Sequence, residues 1–282
     1  MKTAALLLFA GALSAQTFIL MSDPQFGMYS KNQNFAHETA NFEFAIATAN
    51  RLKPAFVVVA GDLINEAGNS AQAAEYRRIA AKLDRKIRLF NVAGNHDLEN
   101  EPTPQSLTRY RKQFGADYYA FRIGDIAGIV LNSSLEKAPQ HVPEEAAKME
   151  SWLRAELAKA QSGGAPHIIV FQHIPFFISD AGEADQYFNI PRETRERYLK
   201  LLHEYGVRQV FAGHLHRNAH GRDGDLEMIS TAPVGMPLEG AKSGLSIVTV
   251  ANGVVSHQFY DFGDLPDSLS APASSNAPVT PR

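Results

Sequence analysis

The sequence predicts an α/β fold, because short apolar segments alternate along the chain with longer segments of helical periodicity. Strands are predicted where runs rich in Val, Ile and Phe end in polar residues, at 17–21, 56–60, 87–92, 126–131, 167–172 and 208–212. Helices are predicted where apolar residues recur every three or four positions, at about 34–51, 71–83, 143–160 and 192–205. This β-α-β-α order favours a largely parallel sheet with helices packed outside it.

The pattern changes after Asp225, where shorter β-rich segments replace the alternation, at 226–231, 245–250 and 254–260. Asn252-Gly253 is a turn signal between the last two, and we expect a second sheet with antiparallel content here. From about Leu265 the composition turns to Pro, Ser, Ala and Asn, which have too little apolar surface to repay ordering. Residues 16–264 are therefore predicted to form one domain, and 265–282 a flexible C-terminal tail.

The first fifteen residues, MKTAALLLFAGALSA, have the pattern of a secretory signal peptide. The alternative is a short buried strand or helix. No later segment approaches the ~18 consecutive apolar residues that a membrane-spanning helix needs, so no span is expected in the mature chain. Residues 1–15 thus predict an exported bacterial protein, periplasmic or secreted, whereas without a signal peptide the protein would be cytoplasmic.

Charge and cysteine content exclude several classes of function. The formal net charge is −3 and no long run of Lys or Arg is present, so nucleic acid is not an expected partner. The chain has no cysteine, which excludes disulfides, thiolate zinc sites and cysteine nucleophiles. Any metal must then be bound by oxygen and imidazole ligands.

Ligand-type side chains follow five of the predicted strands, at the point where each strand ends. In open α/β folds the loops beyond the carboxyl ends of strands converge on one edge. Each loop alone has an ordinary explanation, because Asp, Asn and Gly are common turn residues and a lone histidine is often a packed one. Together they offer enough oxygen and nitrogen ligands for two metal ions. The residues are Asp23, Gln25, Asp62, Asn95, His96, Asp97, His173, His214 and His216.

The same loops resemble a known family. In order along the chain, DPQ, GD, GNHD, the single His173 and GHLH match the motif series of the calcineurin-like metallophosphoesterases, over about 17–260. The segments SDPQFG, GNHD, FQHIPFF and FAGHLHRN are most similar to the complete serine/threonine-phosphatase type, the calcineurin-like phosphoesterase domain-containing proteins. The resemblance implies a four-layer sandwich, in which two mixed β-sheets lie face to face with helices outside and a metal pair lies at the strand ends.

The resemblance also implies which residues bind the two divalent metal ions. Asp62 would bridge them. One ion would be bound by Asp23 and His216 with Gln25 beside it, which we call site 1. The other ion defines site 2, whose further ligands would be Asn95, His173 and His214.

Site 1 departs from the commonest pattern of the superfamily, in which a histidine stands at the position of Gln25. An amide oxygen is a harder and weaker donor than imidazole, which favours Mn, Mg or Fe over Zn and lowers affinity. Partial occupancy of site 1 with low activity is the opposing hypothesis. Asn65, three residues after Asp62, is expected to be a turn residue, and the alternative is a metal ligand or a residue that contacts one.

The residues beyond the metal ligands suggest how catalysis would proceed. Two cations would activate water, so that metal-bound hydroxide attacks the phosphorus atom. By resemblance, His96 would be the catalytic histidine, oriented by Asp97 and able to protonate the leaving group. Arg217 and Asn218 directly follow His216 and are candidates for contacting phosphate oxygens. For Arg217, a solvated surface charge is an equally good interpretation.

Three hypotheses for function follow. The first is a phosphomonoesterase, with phosphoserine or phosphothreonine as substrate if the narrower resemblance holds. The second is a phosphodiesterase or nucleotide hydrolase, because the same metal pair serves diesters in a wider cleft. The third is a non-catalytic binding protein on the same fold, suggested by Gln25. The sequence does not predict the oligomeric state.

Overall fold

The computed structural model describes residues 15–269. Apart from Ala15, the predicted signal peptide lies outside the described residues, as does 270–282 of the predicted tail. The strands are β1 (Gln16–Met21), β2 (Phe56–Val59), β3 (Arg88–Asn91), β4 (Tyr119–Ile123), β5 (Ile126–Val130), β6 (His167–Phe171), β7 (Gln209–Ala212), β8 (Ala219–Asp223), β9 (Leu226–Ser230), β10 (Gly244–Ala251) and β11 (Val254–Asp261). The helices are α1 (Ala36–Leu52), α2 (Ser70–Ala80), α3 (Asn95–Leu98), α4 (Pro104–Phe114), α5 (Ser133–Lys137), α6 (Pro143–Ser162) and α7 (Arg192–Glu204).

The strands form two mixed sheets. Sheet 1 has the order β11-β10-β1-β2-β3, and sheet 2 has the order β4-β5-β6-β7-β9-β8. In sheet 1, β1, β2 and β3 are parallel, β10 is antiparallel to β1, and β11 is antiparallel to β10. In sheet 2, β5, β6, β7 and β9 are parallel, and the edge strands β4 and β8 are antiparallel. Each sheet therefore has parallel strands at its centre, whose carboxyl ends lie at one edge.

Alternation along β1 explains why the sheets pack face to face. Phe18 and Leu20 belong to an apolar cluster with residues of both sheets, which we call the inter-sheet cluster. Ile19 and Met21 pack instead with apolar residues of the helices. Successive strand residues point to opposite faces, so a strand buried on both faces has a helix layer on one side and the other sheet on the opposite side. Four layers result, which confirms the predicted sandwich.

The structure corrects how the strands are divided. The alternation of segments predicted a largely parallel sheet and a separate C-terminal sheet, and this division is wrong, whereas the two mixed sheets that the resemblance implies are confirmed. Parallel strands occur in both sheets, and the C-terminal segments separate, because β9 extends sheet 2 while β10 and β11 extend sheet 1. The main helices and central strands lie where the sequence predicted them, but α3, α4, α5, β4 and β8 were not predicted.

Two further observations concern the chain as a whole. Within residues 15–269, no helix combines the length and apolar character needed to cross a bilayer. Part of the predicted tail is described: Leu265 and Leu269 pack against the core, and Arg51 of α1 donates hydrogen bonds to the carbonyls of Pro266 and Asp267.

Candidate metal centre

The predicted ligands converge at the carboxyl edge of the two sheets. Asp62, His173 and His214 each offer a donor atom, and these atoms lie within 4.8 Å of one another. The same limit holds for a second group formed by Asp23, Asp62 and His216. Asp62 belongs to both groups, which is the arrangement that a bridging carboxylate requires.

The backbone at these loops is held in an uncommon conformation. Positive φ values occur at Asp23 (47°), Gln25 (38°), Asp62 (48°), His214 (71°) and His216 (52°). Residues other than glycine rarely adopt this left-handed region, and such strain concentrates at functional sites. The backbone is therefore strained at five of the predicted ligands. The surrounding fold must offset this cost to hold their side chains in these orientations.

Two motif glycines are required by close packing around the carboxylates. A Cβ atom at Gly94 would lie 2.1 Å from Asp62 Oδ1, and one at Gly213 would lie 2.6 Å from Asp23 Oδ2. Such distances are far below van der Waals contact, so any side chain would displace the carboxylate. The glycines of GNHD and GHLH thus allow the loops to approach each other.

Backbone carbonyls fix the orientation of two imidazole rings. His173 Nδ1 is 2.8 Å from the carbonyl oxygen of Ala60, and His216 Nδ1 is 2.5 Å from that of Met236. A carbonyl only accepts, so Nδ1 carries the proton and donates it. The Nε2 atom of each ring then faces the carboxylates: His173 Nε2 is 3.2 Å from Asp62 Oδ2, and His216 Nε2 is 3.4 Å from Asp23 Oδ1. This is how metal-binding histidines are held in proteins.

Burial and charge perturb the pKa values in this pocket. Burial alone would lower the pKa of His173, but the neighbouring Asp62 carboxylate outweighs it and raises the pKa to about 9. Burial and the adjacent His173 lower the pKa of His214 to about 3. Without a cation, His173 thus retains a proton beside Asp62. Metal binding requires neutral imidazoles and releases such protons.

Unpartnered polar atoms test whether the residues fit a metal pair. Within residues 15–269, Gln25 Oε1 and His214 Nε2 are buried and have no hydrogen-bond partner. Gln25 Nε2 donates to Asn65 Oδ1 at 3.0 Å, which leaves the amide oxygen as the free atom. A buried unpaired acceptor costs about 1–3 kcal/mol, and a cation removes that cost. Gln25 Oε1 is therefore available to a cation at site 1, whereas at site 2 the His214 nitrogen that faces the other ligands is Nδ1, 3.2 Å from His173 Nε2.

The chain is similar to proteins of one known family. The family model described as calcineurin-like phosphoesterase matches residues 17–218. The chain belongs to this family. It is 33% identical over 264 residues to the serine/threonine-protein phosphatase CPPED1 of Homo sapiens, an alignment that covers 88% of this chain and 84% of the human protein.

Solved structures agree in fold. A dimetal phosphatase from Danio rerio is similar with a TM-score of 0.59 and 17% identity, over 87% of this chain and 99% of that one. Purple acid phosphatase PPD1 from Lupinus luteus seeds has a TM-score of 0.65 and 14% identity, over 93% of this chain and 57% of that one. The predicted family and fold are confirmed, and the chain is a phosphoric ester hydrolase with residues suited to metal binding.

The contacts of His96 in this phosphoesterase correct one prediction. Asp97 was expected to orient the ring, but His96 Nδ1 lies 2.8 Å from the carbonyl oxygen of Asn65. The Asp97 carboxylate instead accepts hydrogen bonds from the backbone N–H groups of Gly94 (2.8 Å) and Ile64 (3.1 Å). Burial and the nearby Asp62 charge raise the pKa of Asp97 to about 8. Asp97 therefore stabilises the GNHD turn, and Asn65 positions His96.

The two predicted phosphate contacts are engaged elsewhere. Arg217 Nε pairs with Glu239 Oε2 at 2.9 Å, and both side chains are partly exposed. Asn218 Oδ1 accepts the backbone N–H of Ala232 at 2.8 Å, so this side chain ties the GHLHRN loop to the segment after β9. These contacts give both residues a structural role, and the phosphate role remains a prediction.

Tyr187 is a site residue that sequence reasoning missed. Its hydroxyl oxygen accepts a hydrogen bond from Asn95 Nδ2 at 3.1 Å, and its ring centroid lies 5.1 Å from that of His214. The side chain is 50% exposed, although it is large and aromatic. An aromatic residue in the polar loop between β6 and α7 was the available signal, because loops at strand ends carry function.

Proposed function

We propose that this phosphoesterase hydrolyses phosphomonoesters, with phosphoserine and phosphothreonine side chains as its substrate class. The observation that carries the proposal is the shared position of Asp62 in two ligand groups whose donor atoms lie within 4.8 Å of one another. Site 1 would hold one divalent cation and site 2 the other. When bound, two such cations supply positive charge for the phosphoryl oxygens and activate water as the nucleophile.

The protein would contribute the proton that the leaving group needs. His96 Nδ1 donates to the Asn65 carbonyl, so Nε2 is the atom available for proton transfer. His96 also lines an open groove of about 360 Å³, together with Asn32, Asn65 and Asn95. Serine and threonine leave as strongly basic alkoxides, so a proton donor matters most for their esters.

The groove supports a substrate carried on a larger molecule. Its walls are polar and it is open to solvent, so a phosphorylated side chain can enter while its backbone remains outside. The human relative is named a serine/threonine-protein phosphatase, which supports the same class here. One observation favours a phosphodiesterase or nucleotide hydrolase instead: the exposed ring of Tyr187 offers a surface on which a base can stack.

We propose Mn, Mg or Fe for site 1, because a carboxylate and an amide oxygen outnumber its single imidazole. Site 2, which offers two imidazoles, also suits Zn. Elemental analysis of purified protein, followed by reconstitution of the chelated protein with each metal, tests this assignment.

We also propose export from a bacterial cell, which is supported by the pattern of residues 1–15. N-terminal sequencing of the protein expressed in a bacterium tests it. Cleavage after Ser14 or Ala15 is the expected result, and an intact cytoplasmic protein would contradict export.

The assay that tests the activity compares matched substrates in the presence of Mn. Phosphoserine and phosphothreonine peptides and p-nitrophenyl phosphate are compared with bis-p-nitrophenyl phosphate and a cyclic nucleotide. We expect kcat/KM for the monoesters to exceed that for the diesters by at least about tenfold. Faster diester hydrolysis would favour the second function, and no hydrolysis with both sites filled would favour a binding protein.

A further inference from the structure

A second group of metal-ligating side chains lies apart from the residues around Asp62. His220, Glu227 and His257 each offer a donor atom, and the three atoms lie within 4.8 Å of one another. His220 Nε2 is 3.9 Å from Glu227 Oε1, and the ring centroids of His220 and His257 are 5.8 Å apart. The residues belong to β8, β9 and β11. The group therefore joins the edge strands of both sheets.

Strand register places all three side chains on the inward faces of the two sheets, at an edge where His220 is exposed and Glu227 and His257 are half-buried. His220 pairs with Ile229 of the inter-sheet cluster, and Glu227 lies two residues before Ile229 on the same face of β9. His257 pairs with Val248, which belongs to the same cluster. Directly paired residues share a face of a sheet. Two imidazoles and a carboxylate thus occupy positions where the alternation of these strands predicts apolar side chains.

Neighbouring side chains orient two of these groups. His257 packs edge-on against Phe211, with the ring centroids 6.1 Å apart. The Arg222 guanidinium contacts Glu227 Oε1, the oxygen nearest His220 Nε2, so it orients the carboxylate and leaves Oε2 as the oxygen for a cation. Metal-binding carboxylates are commonly held by such an outer hydrogen bond.

We propose that His220, Glu227 and His257 bind a zinc ion that links the two sheets at this edge. Two imidazoles and one carboxylate are donors that zinc accepts, at about 2.0–2.2 Å, with a fourth position left for water. Tetrahedral coordination needs donor atoms about 3.4 Å apart, and small rotations of these side chains suffice to reach that spacing. His220 is exposed, so a hydrated cation can reach the group from solvent.

Zinc titration of the chelated full-length protein tests the proposal. His257→Phe keeps an aromatic ring against Phe211 but removes a donor atom. We expect this variant to bind one zinc equivalent fewer than wild type, or to bind that equivalent at least about tenfold more weakly. Zinc should raise the Tm of wild type more than that of the variant, while turnover with Mn is unchanged.

His203→Ala is the matched control, because His203 pairs with the single carboxylate of Asp223 at 2.7 Å and is also partly exposed. This control should bind zinc as wild type does. Equal zinc binding by wild type and His257→Phe overturns the proposal, as does an equal loss in His203→Ala. If His257→Phe does not fold, His220→Ala replaces it and must lose the same equivalent.

Discussion

The ligands of site 1 and site 2 lie in the same kind of loop, but different parts of the chain hold their histidine rings in place. In site 2, the ring of His173 is fixed by the carbonyl of Ala60, directly after β2. In site 1, the ring of His216 is fixed by the carbonyl of Met236, in the loop between β9 and β10. The same loop also donates the N–H of Gly235 to the Asp23 carbonyl at 3.1 Å. Site 2 therefore depends on the sheets, and site 1 depends partly on a loop.

The two sites also differ in their donor atoms. The residues predicted for site 2 supply two imidazoles and the Asn95 amide oxygen, 3.0 Å from His173 Nε2, whereas those predicted for site 1 supply one imidazole, the Asp23 carboxylate and the amide of Gln25. Imidazole suits zinc and other transition metals, and carboxylates and amides suit harder cations. The two sites, which share Asp62, therefore differ in the metals that their donor atoms favour. We expect site 2 to fill first.

Asp62→Asn should have the largest effect, because it removes the residue that both sites share. A neutral amide cannot bridge two cations, so metal content should fall from two equivalents to less than one and turnover should be lost. Elemental analysis and the phosphoserine assay measure both. Asp223→Asn is a matched control that removes the same charge on the surface strand β8. Two bound equivalents in Asp62→Asn would show that the sites do not share it.

The convergence of these residues was predictable because each lies in the loop that follows an apolar strand. Asp23, Asp62 and His173 stand at such ends, and parallel strands bring their ends to one edge whatever the details of packing. The role of Asp97 was not predictable. Its partners are backbone N–H groups of Gly94 and Ile64, which come within reach only when the GNHD turn folds against the loop after β2.

The missed elements have separate physical causes. β8 reads AHGRD, without an apolar pattern, and is a strand because it pairs with β9 at the edge of sheet 2. The N-terminus of α4 has the sequence of a helix start, because Thr103 caps the helix and Pro104 follows at its first position. Its apolar residues are few, so periodicity alone did not reveal it.

His96→Ala should have the next largest effect and tests whether His96 lies outside both sites. Both metals should stay bound, while turnover falls about 10²–10⁴-fold, the usual scale for losing a proton donor. The loss should be greater for phosphoserine than for p-nitrophenyl phosphate, because p-nitrophenolate is a weak base. His141→Ala, which removes an exposed histidine paired with Glu101, is the control. Loss of metal from His96→Ala would make it a ligand and refute its role as acid.

Two substitutions at Gln25 should change site 1 alone. Gln25→His supplies the missing imidazole and should tighten zinc binding at the weaker site by about tenfold. Histidine tolerates the positive φ at this position better than most residues. Gln25→Ala should weaken metal binding at site 1 and leave the affinity of site 2 unchanged. Calorimetric titration resolves the two equivalents, and wild-type affinities at both in Gln25→Ala would exclude Gln25 as a ligand.

Tyr187→Phe should have the smallest effect, confined to site 2. The substitution keeps the ring beside His214 but removes the acceptor for Asn95 Nδ2, whose remaining partner is Asn100 Oδ1 at 2.8 Å. Losing one such hydrogen bond is worth about 0.5–1.5 kcal/mol, so kcat/KM should fall about twofold to tenfold with both metals still bound. Tyr187→Ala also removes the packing of the ring against His214, so its kcat/KM should fall further. If kcat/KM falls equally in Tyr187→Phe and Tyr187→Ala, the ring contributes nothing to activity. If kcat/KM of Tyr187→Phe equals that of wild type, the hydroxyl does not orient Asn95.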